Sequence, residues 1–220
     1  MTQGATTLHI HIITLFPGAF DSYLSESILR RARDRGRIKV SFYNPRDFTK
    51  DTWRRVDKRP YGGGPGMVLE PESVLKAAAK AIGRKNRRTL KVIFFEPDGT
   101  TFDTAYAERM ASRYKHLVLI CGRYEGIDAR VKKILRAETL TIGPYTLTGG
   151  ELPAMVVMDA VVRRLPGVLG NELSVEERRV SSHDVYTRPE VLRWKGKNYR
   201  VPKVLLTGNH ASIAKWKKTT

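Results

Sequence analysis

Three short stretches of this chain combine glycine with aromatic or branched apolar residues. They are Phe94-Phe95-Glu96-Pro97-Asp98-Gly99, Cys121-Gly122-Arg123-Tyr124-Glu125-Gly126 and Ile142-Gly143-Pro144-Tyr145-Thr146-Leu147-Thr148-Gly149-Gly150. Glycine lets a backbone approach a ligand closely or adopt positive φ. Backbone N–H and C=O groups exposed in this way can read the edge of a flat heterocycle such as adenine, while aromatic and leucine side chains cover its faces. One such stretch is as well explained by an ordinary turn. Three of them, each directly after a segment that reads as a strand, point to a ligand cleft, because open α/β sheets bind ligands beyond the carboxyl ends of their strands. The common phosphate motifs are missing. Gly62-Gly63-Gly64-Pro65-Gly66 has no Gly-Lys-Ser/Thr after it, and no GxGxxG opens the first helix. HExxH, a nucleophile elbow and the H-x-E with paired cysteines of deaminases are also absent. A nucleotide-like ligand would therefore be held in some way other than the usual Rossmann or P-loop one.

The elements that must position these stretches follow from the apolar pattern. Residues 8–15 alternate and are β-branched, and 38–43 and 138–142 also read as strands. Residues 90–95 and 117–121 are continuous apolar runs, as expected of buried strands. Helical spacing predicts a helix over 21–35 (Tyr23, Leu24, Ile28, Leu29, Ala32) with Gly36 as its C-cap. Further helices are predicted over 72–82 after Pro71, over 103–113 with Thr101 or Asp103 near its cap, over 127–135, and over 151–165, ended by Pro166 and Gly167. Residues 45–67 read as a long polar, glycine-rich loop. Strands alternating with helices predict an α/β fold around a mainly parallel sheet. After Gly170 the alternation stops. Residues 171–184 are polar and charged and read as a linker, and the remainder is a small basic segment with a short helix at 211–217.

With 220 residues and 41% hydrophobic content, the chain has room for a real core. No apolar run approaches the roughly 20 residues needed to cross a bilayer, and the opening residues lack the pattern of a signal peptide. Cys121 is the single cysteine, which excludes an internal disulfide and multi-cysteine zinc sites. A cytoplasmic protein without membrane association is expected. Lys and Arg number 40 against 22 Asp and Glu, a formal charge of +18. The excess crowds the tail, where Arg178, Arg179, Arg188, Arg193, Lys195, Lys197, Arg200, Lys203, Lys215, Lys217 and Lys218 stand against Asp184 and Glu190. A solvated basic face is the plain explanation. A polyanionic partner is the sharper one, since each phosphate neutralised by Lys or Arg releases counterions.

Longer motifs carry a resemblance. Leu15-Phe16-Pro17, Asn44-Pro45-Arg46-Asp47-Phe48-Thr49, Pro60-Tyr61-Gly62-Gly63-Gly64-Pro65-Gly66-Met67, Cys121-Gly122-Arg123-Tyr124-Glu125-Gly126-Ile127-Asp128 and Leu147-Thr148-Gly149-Gly150-Glu151-Leu152-Pro153-Ala154 resemble the bacterial tRNA (guanine-N1)-methyltransferase family, TrmD. Tyr186-Thr187-Arg188-Pro189 and Leu206-Thr207-Gly208-Asn209-His210 extend the similarity into the tail. The resemblance implies a SPOUT-type α/β domain with a deep trefoil knot over residues 1–170, a linker over 171–186 and a short tRNA-binding domain over 187–220. It further implies an antiparallel homodimer with shared sites, S-adenosyl-L-methionine as methyl donor, and methylation of tRNA at N1 of guanosine 37, beside the anticodon. Whether Mg2+ assists is left open.

Carried over by motif, Phe94, Phe95, Gly122, Tyr124, Glu125, Ile142, Gly143, Tyr145, Leu147, Gly149 and Gly150 fall where the family binds the donor. Arg163 matches the catalytic arginine, and Asp57, Tyr61 and Arg188 fall at positions for the substrate. The chemistry suits this cast. Guanine N1 carries a proton, so a carboxylate must accept it, and the charge that spreads to O6 needs a fixed cation. The planar donor fork of arginine fits O6. The chain departs from the family at the base. There an aspartate follows Ser-x-Glu-Glu; here Ser174-Val175-Glu176-Glu177 is followed by Arg178, and the linker is shorter. Glu177 is the first choice as base, with Glu176 and Asp184 as alternatives. Trp53, Lys58 and Pro144 are smaller departures, and Thr220 falls short of the family's usual C-terminal domain. The competing reading is a catalytically inactive RNA-binding member of the same fold.

Overall fold

Alternation along the first strand, β1 (Leu8–Ile13), creates two buried faces at once. Leu8, Ile10 and Ile12 enter one apolar cluster and Ile13 enters a second on the opposite side. Such two-sided burial requires helices on both faces. The computed structural model describes residues 7–169 and 184–219. β1 lies in a five-stranded sheet with β2 (Ile38–Tyr43), β5 (Leu90–Thr101), β6 (His116–Ile120) and β7 (Glu138–Thr141), in the order β2-β1-β6-β5-β7. Every pairing in it is parallel. A separate antiparallel pair joins β3 (Asp57–Lys58) to β4 (Val68–Leu69) inside what the sequence marks as a long loop.

One face of the sheet is covered by α3 (Pro71–Ile82) and α5 (Ala129–Leu135). Proline at the first turn starts α3, and small residues at Ala77, Ala78 and Ala81 let it sit close to the strands. The other face is covered by α2 (Ser27–Asp34), α4 (Thr104–Arg113) and α6 (Glu151–Val162). Asp103 caps α4 by accepting from the Tyr106 N–H at 2.6 Å.

Two local predictions are corrected. The helix expected over 21–35 is broken into α1 (Asp21–Leu24) and α2 by an extended Glu26 and by Ser27 at φ 45°. On one continuous helix Leu24 and Leu29 would point about 140° apart. The break lets both bury, at 2% and 3% exposure. The strand expected to end at residue 95 continues to Thr101. Phe95 and Thr100 both pair with Leu140, so residues 96–99 loop out between them.

The chain divides into two compact units, Met1–Leu169 and Gly170–Thr220. In the second, an antiparallel hairpin joins β8 (Val191–Trp194) to β9 (Lys197–Arg200), an element the sequence reading missed. Its turn residues Lys195 and Gly196 have φ of 47° and 74°, as a tight hairpin turn requires. The last helix, α7 (His210–Thr219), runs longer than the 211–217 expected. Among the described residues no helix is long and apolar enough to cross a membrane.

Candidate functional site

The three glycine-aromatic stretches meet at the carboxyl ends of β5, β6 and β7. Together they enclose a cavity of about 340 Å³. The outlooped residues of β5 supply Glu96 and Pro97 to one wall. Gly99 holds that loop against β7, because a Cβ there would fall 2.7 Å from the Leu140 carbonyl carbon. The second wall follows β6, where Tyr124 is held at φ 60° and Gly126 at φ 119°. The third wall is the segment leading into α6. Its Gly150 N–H donates to the Gly122 carbonyl at 3.0 Å. A Cβ on Gly150 would fall 2.6 Å from the Cys121 Cα, so only glycine lets these two walls touch.

A buried ionic group ties the walls to the end of β1. Glu151 is 3% exposed and accepts the Thr14 hydroxyl proton at 2.7 Å. Arg123 Nε stands 2.9 Å from its other oxygen, an ion pair by distance. The Arg123 guanidinium also lies over the Phe16 ring, 4.6 Å from its centroid. A carboxylate so deep is tolerated only with such partners. Cys121 lies beside this group and is fully buried. Burial, and then the Glu151 carboxylate, push its thiol well above the ordinary range.

The second wall is also stitched to the glycine-rich segment around residue 66. Glu125 N–H donates to Met67 O at 2.9 Å, Leu69 N–H to Gly126 O at 3.0 Å, and Asp128 N–H to Leu69 O at 3.0 Å. The Glu125 carboxyl occupies the space that a Gly66 side chain would need, with Oε1 2.5 Å from its Cβ position. Met67 lines a second cavity of about 490 Å³, together with Phe48, Thr49, Asp51, Asp57 and Glu70. The two cavities are thus joined through one short run of backbone bonds.

Nine of the eleven donor-site residues expected from the motifs line the first cavity. They are Phe95, Gly122, Tyr124 and Glu125 on two walls, and Ile142, Tyr145, Leu147, Gly149 and Gly150 on the third. Phe94 does not. Strand alternation turns Phe95 toward the cavity and buries Phe94 at 4% exposure among the α3-side core. Gly143 does not line it either; its Cβ position is filled by the Tyr145 ring. Asp57 borders the second cavity, whereas Tyr61 is fully exposed and borders neither. Arg163 closes the end of α6, donating its N–H to Asp159 O at 3.1 Å, and lines neither cavity. Arg188 and Asp184 are exposed in the second unit. Glu176 and Glu177 lie outside the described residues. Motif reading passed over Arg123 and Glu151. An acidic residue opening a mostly apolar helix was the available signal for the pair.

Residues 8–220 match the family model described as tRNA (Guanine-1)-methyltransferase TrmD. A tRNA (guanine-N(1)-)-methyltransferase from Thermomicrobium roseum is 45% identical over 96% of this chain and 78% of its own length. Those from Dictyoglomus turgidum and Dehalococcoides mccartyi are 44% and 43% identical, each over 96% of this chain and 84% of their own. Matched along nearly its whole length, the chain belongs to the TrmD family of tRNA (guanine-1)-methyltransferases.

Proposed function

We propose that this protein methylates N1 of the guanosine 3′ of the anticodon, at tRNA position 37, with S-adenosyl-L-methionine as donor. The observation that carries the reading is the cavity at the ends of β5, β6 and β7, stitched by backbone bonds to the segment bordering a second cavity. The first cavity fits the donor. Its volume falls in the roughly 300–1,000 Å³ range of small-ligand sites. Its walls offer backbone groups at Gly122 and Gly149 for an adenine edge, and Ile142, Tyr145 and Leu147 for its faces. When bound, the donor supplies a methyl group on a sulfonium, activated enough that no covalent enzyme intermediate is needed.

The remaining work falls to residues of the chain. In this reading Glu177 accepts the N1 proton and Arg163 faces the charge growing on O6. Asp57 borders the guanine pocket. Arg163 lines neither cavity of its own chain, which fits a homodimer whose partner completes each site. Leu152 and Val156, one turn apart on α6 and 55% and 47% exposed, suit such an interface. Arg188 and the basic hairpin, with exposed Trp194 and Tyr199, suit phosphate contacts and base stacking. Activity on tRNA places the protein in the cytoplasm.

Arg178, at the position of the family's aspartate, favours a second reading: an RNA-binding member that has lost catalysis. One experiment separates them. The protein is incubated with labelled S-adenosylmethionine and unmodified tRNA, and the nucleosides are analysed. Labelled 1-methylguanosine supports the enzyme. Donor and tRNA binding without any labelled nucleoside supports the inactive binder.

A further inference from the structure

The amino ends of β1 and β6, opposite the donor cavity, carry three histidines that the methyl-transfer reading does not use. His9 and His11 alternate along β1, and His116 is the registered partner of His9 on β6. All three therefore share the sheet face covered by α3. One ring nitrogen from each lies within 4.8 Å of the others. We infer that His9, His11 and His116 form a binding site for a divalent transition cation, with Zn2+ as the fitting ion.

The decisive distance is between His11 Nε2 and His116 Nδ1, 3.4 Å. That is long for a hydrogen bond, whose usual range ends near 3.2 Å. It matches two nitrogens ligating one tetrahedral cation, which stand about 3.3–3.4 Å apart when each metal–nitrogen bond is 2.0–2.1 Å. His9 closes the triangle, its ring centroid 5.1 Å from that of His116. A water molecule would complete the tetrahedron.

The surroundings prepare the rings for this role. His11 is 4% exposed, and its Nδ1 lies 3.2 Å from the Tyr43 hydroxyl. In the tautomer protonated at Nδ1, His11 donates to Tyr43 and turns its Nε2 lone pair toward His116. This is the orienting partner that metal-bound imidazoles usually have. His9 and His116 are partly exposed and give an ion access from solvent. Burial, then the Lys85 ammonium and the neighbouring imidazoles, hold His11 neutral with a pKa of about 4. Burial lowers His9 and His116 as well, so the site offers uncharged lone pairs. Lys39, Lys85 and Lys115 oppose a cation by charge. Lys85 is partly offset, because its ammonium donates to Ala81 O at 2.7 Å, at the negative end of α3. The nearby ammonium groups should therefore make binding weaker than at an uncharged three-histidine site.

The test uses the full-length, tag-free dimer or monomer as purified, stripped with a chelator and titrated calorimetrically with Zn2+. Wild type should take up one ion per chain that the His9→Gln/His116→Gln double variant does not. The His116→Gln single variant, at a partly exposed position, should also lose it, which covers a folding failure of the double variant. Tyr43→Phe should weaken binding about 10–100-fold, as loss of such a partner typically does. Binding of S-adenosylmethionine should be unchanged in the histidine variants. Co2+ in place of Zn2+ should give visible absorption bands of tetrahedral cobalt in wild type only. The inference is overturned if wild type takes up no zinc in molar excess. It is equally overturned if His116→Gln binds with unchanged stoichiometry and affinity, since the ion would then reside elsewhere, for example at His183 or His210.

Discussion

Replacing Gly150 with alanine isolates the contact that shapes the donor cavity. Gly150 has φ −83° and ψ −3°, a conformation alanine adopts without strain. The added Cβ is the whole perturbation. It would meet the Cys121 Cα at 2.6 Å and the Gly122 N at 3.0 Å, whereas ordinary contact begins at 3.4 Å. The two segments must therefore part by about 0.8 Å, the difference between 3.4 and 2.6 Å. Both neighbours are backbone, so no side chain can swing aside. The separation also stretches the Gly150 N–H bond to Gly122 O, now 3.0 Å, past hydrogen-bonding range. Overpacking of this kind costs about 1–3 kcal/mol. Because the same segments are facing walls of the cavity, donor affinity should fall roughly 10–100-fold, at about 1.4 kcal/mol per tenfold. Calorimetric titration with S-adenosylmethionine, or with its demethylated product, measures this directly. Gly36→Ala is the control. Gly36 has φ +66° with nothing within 4 Å of its Cβ position, so that variant should lose stability through backbone strain alone and keep donor affinity. Wild-type affinity and an unchanged melting temperature in Gly150→Ala would refute the claim that this glycine holds the walls together.

Four further outcomes are expected. Glu151→Ala leaves Arg123 and the Thr14 hydroxyl without their shared partner; urea unfolding should show a loss of about 3 kcal/mol, the low end for a broken buried pair because Arg123 keeps some solvent contact. Cys121 should resist iodoacetamide in the folded protein at mildly alkaline pH and react only after unfolding, since burial raises its thiol; rapid labelling of the native protein would contradict the buried placement. Arg163→Ala and Glu177→Gln should each slow single-turnover methylation by roughly 10²–10⁴-fold without weakening donor binding; a wild-type rate in Glu177→Gln alongside a slow Asp184→Asn would move the base to Asp184. Affinity for tRNA should fall by orders of magnitude from low to moderate salt, given the charge of +18; a flat salt response would assign that charge to solubility instead.

Local pattern alone carried the strands of the central sheet, because a buried parallel strand needs an apolar run such as residues 90–95 or 117–121 wherever it occurs. Local chemistry likewise marked Thr101 or Asp103 as a cap and the three glycine-rich stretches as a cleft, since capping and close backbone approach depend on one or two residues each. The motifs then tied those stretches to a family. Three things needed the fold. The pattern over 21–35 is periodic enough for one helix, and only the demand that Leu24 and Leu29 both reach the core breaks it at Ser27. The Thr14–Glu151–Arg123 group and the triad of His9, His11 and His116 join residues more than 100 positions apart, a distance over which sequence spacing carries no information. The division of Phe94 from Phe95 depends on which face of β5 meets the cavity. That is fixed by the register against β7, where pairing resumes at Thr100 after the outlooped residues.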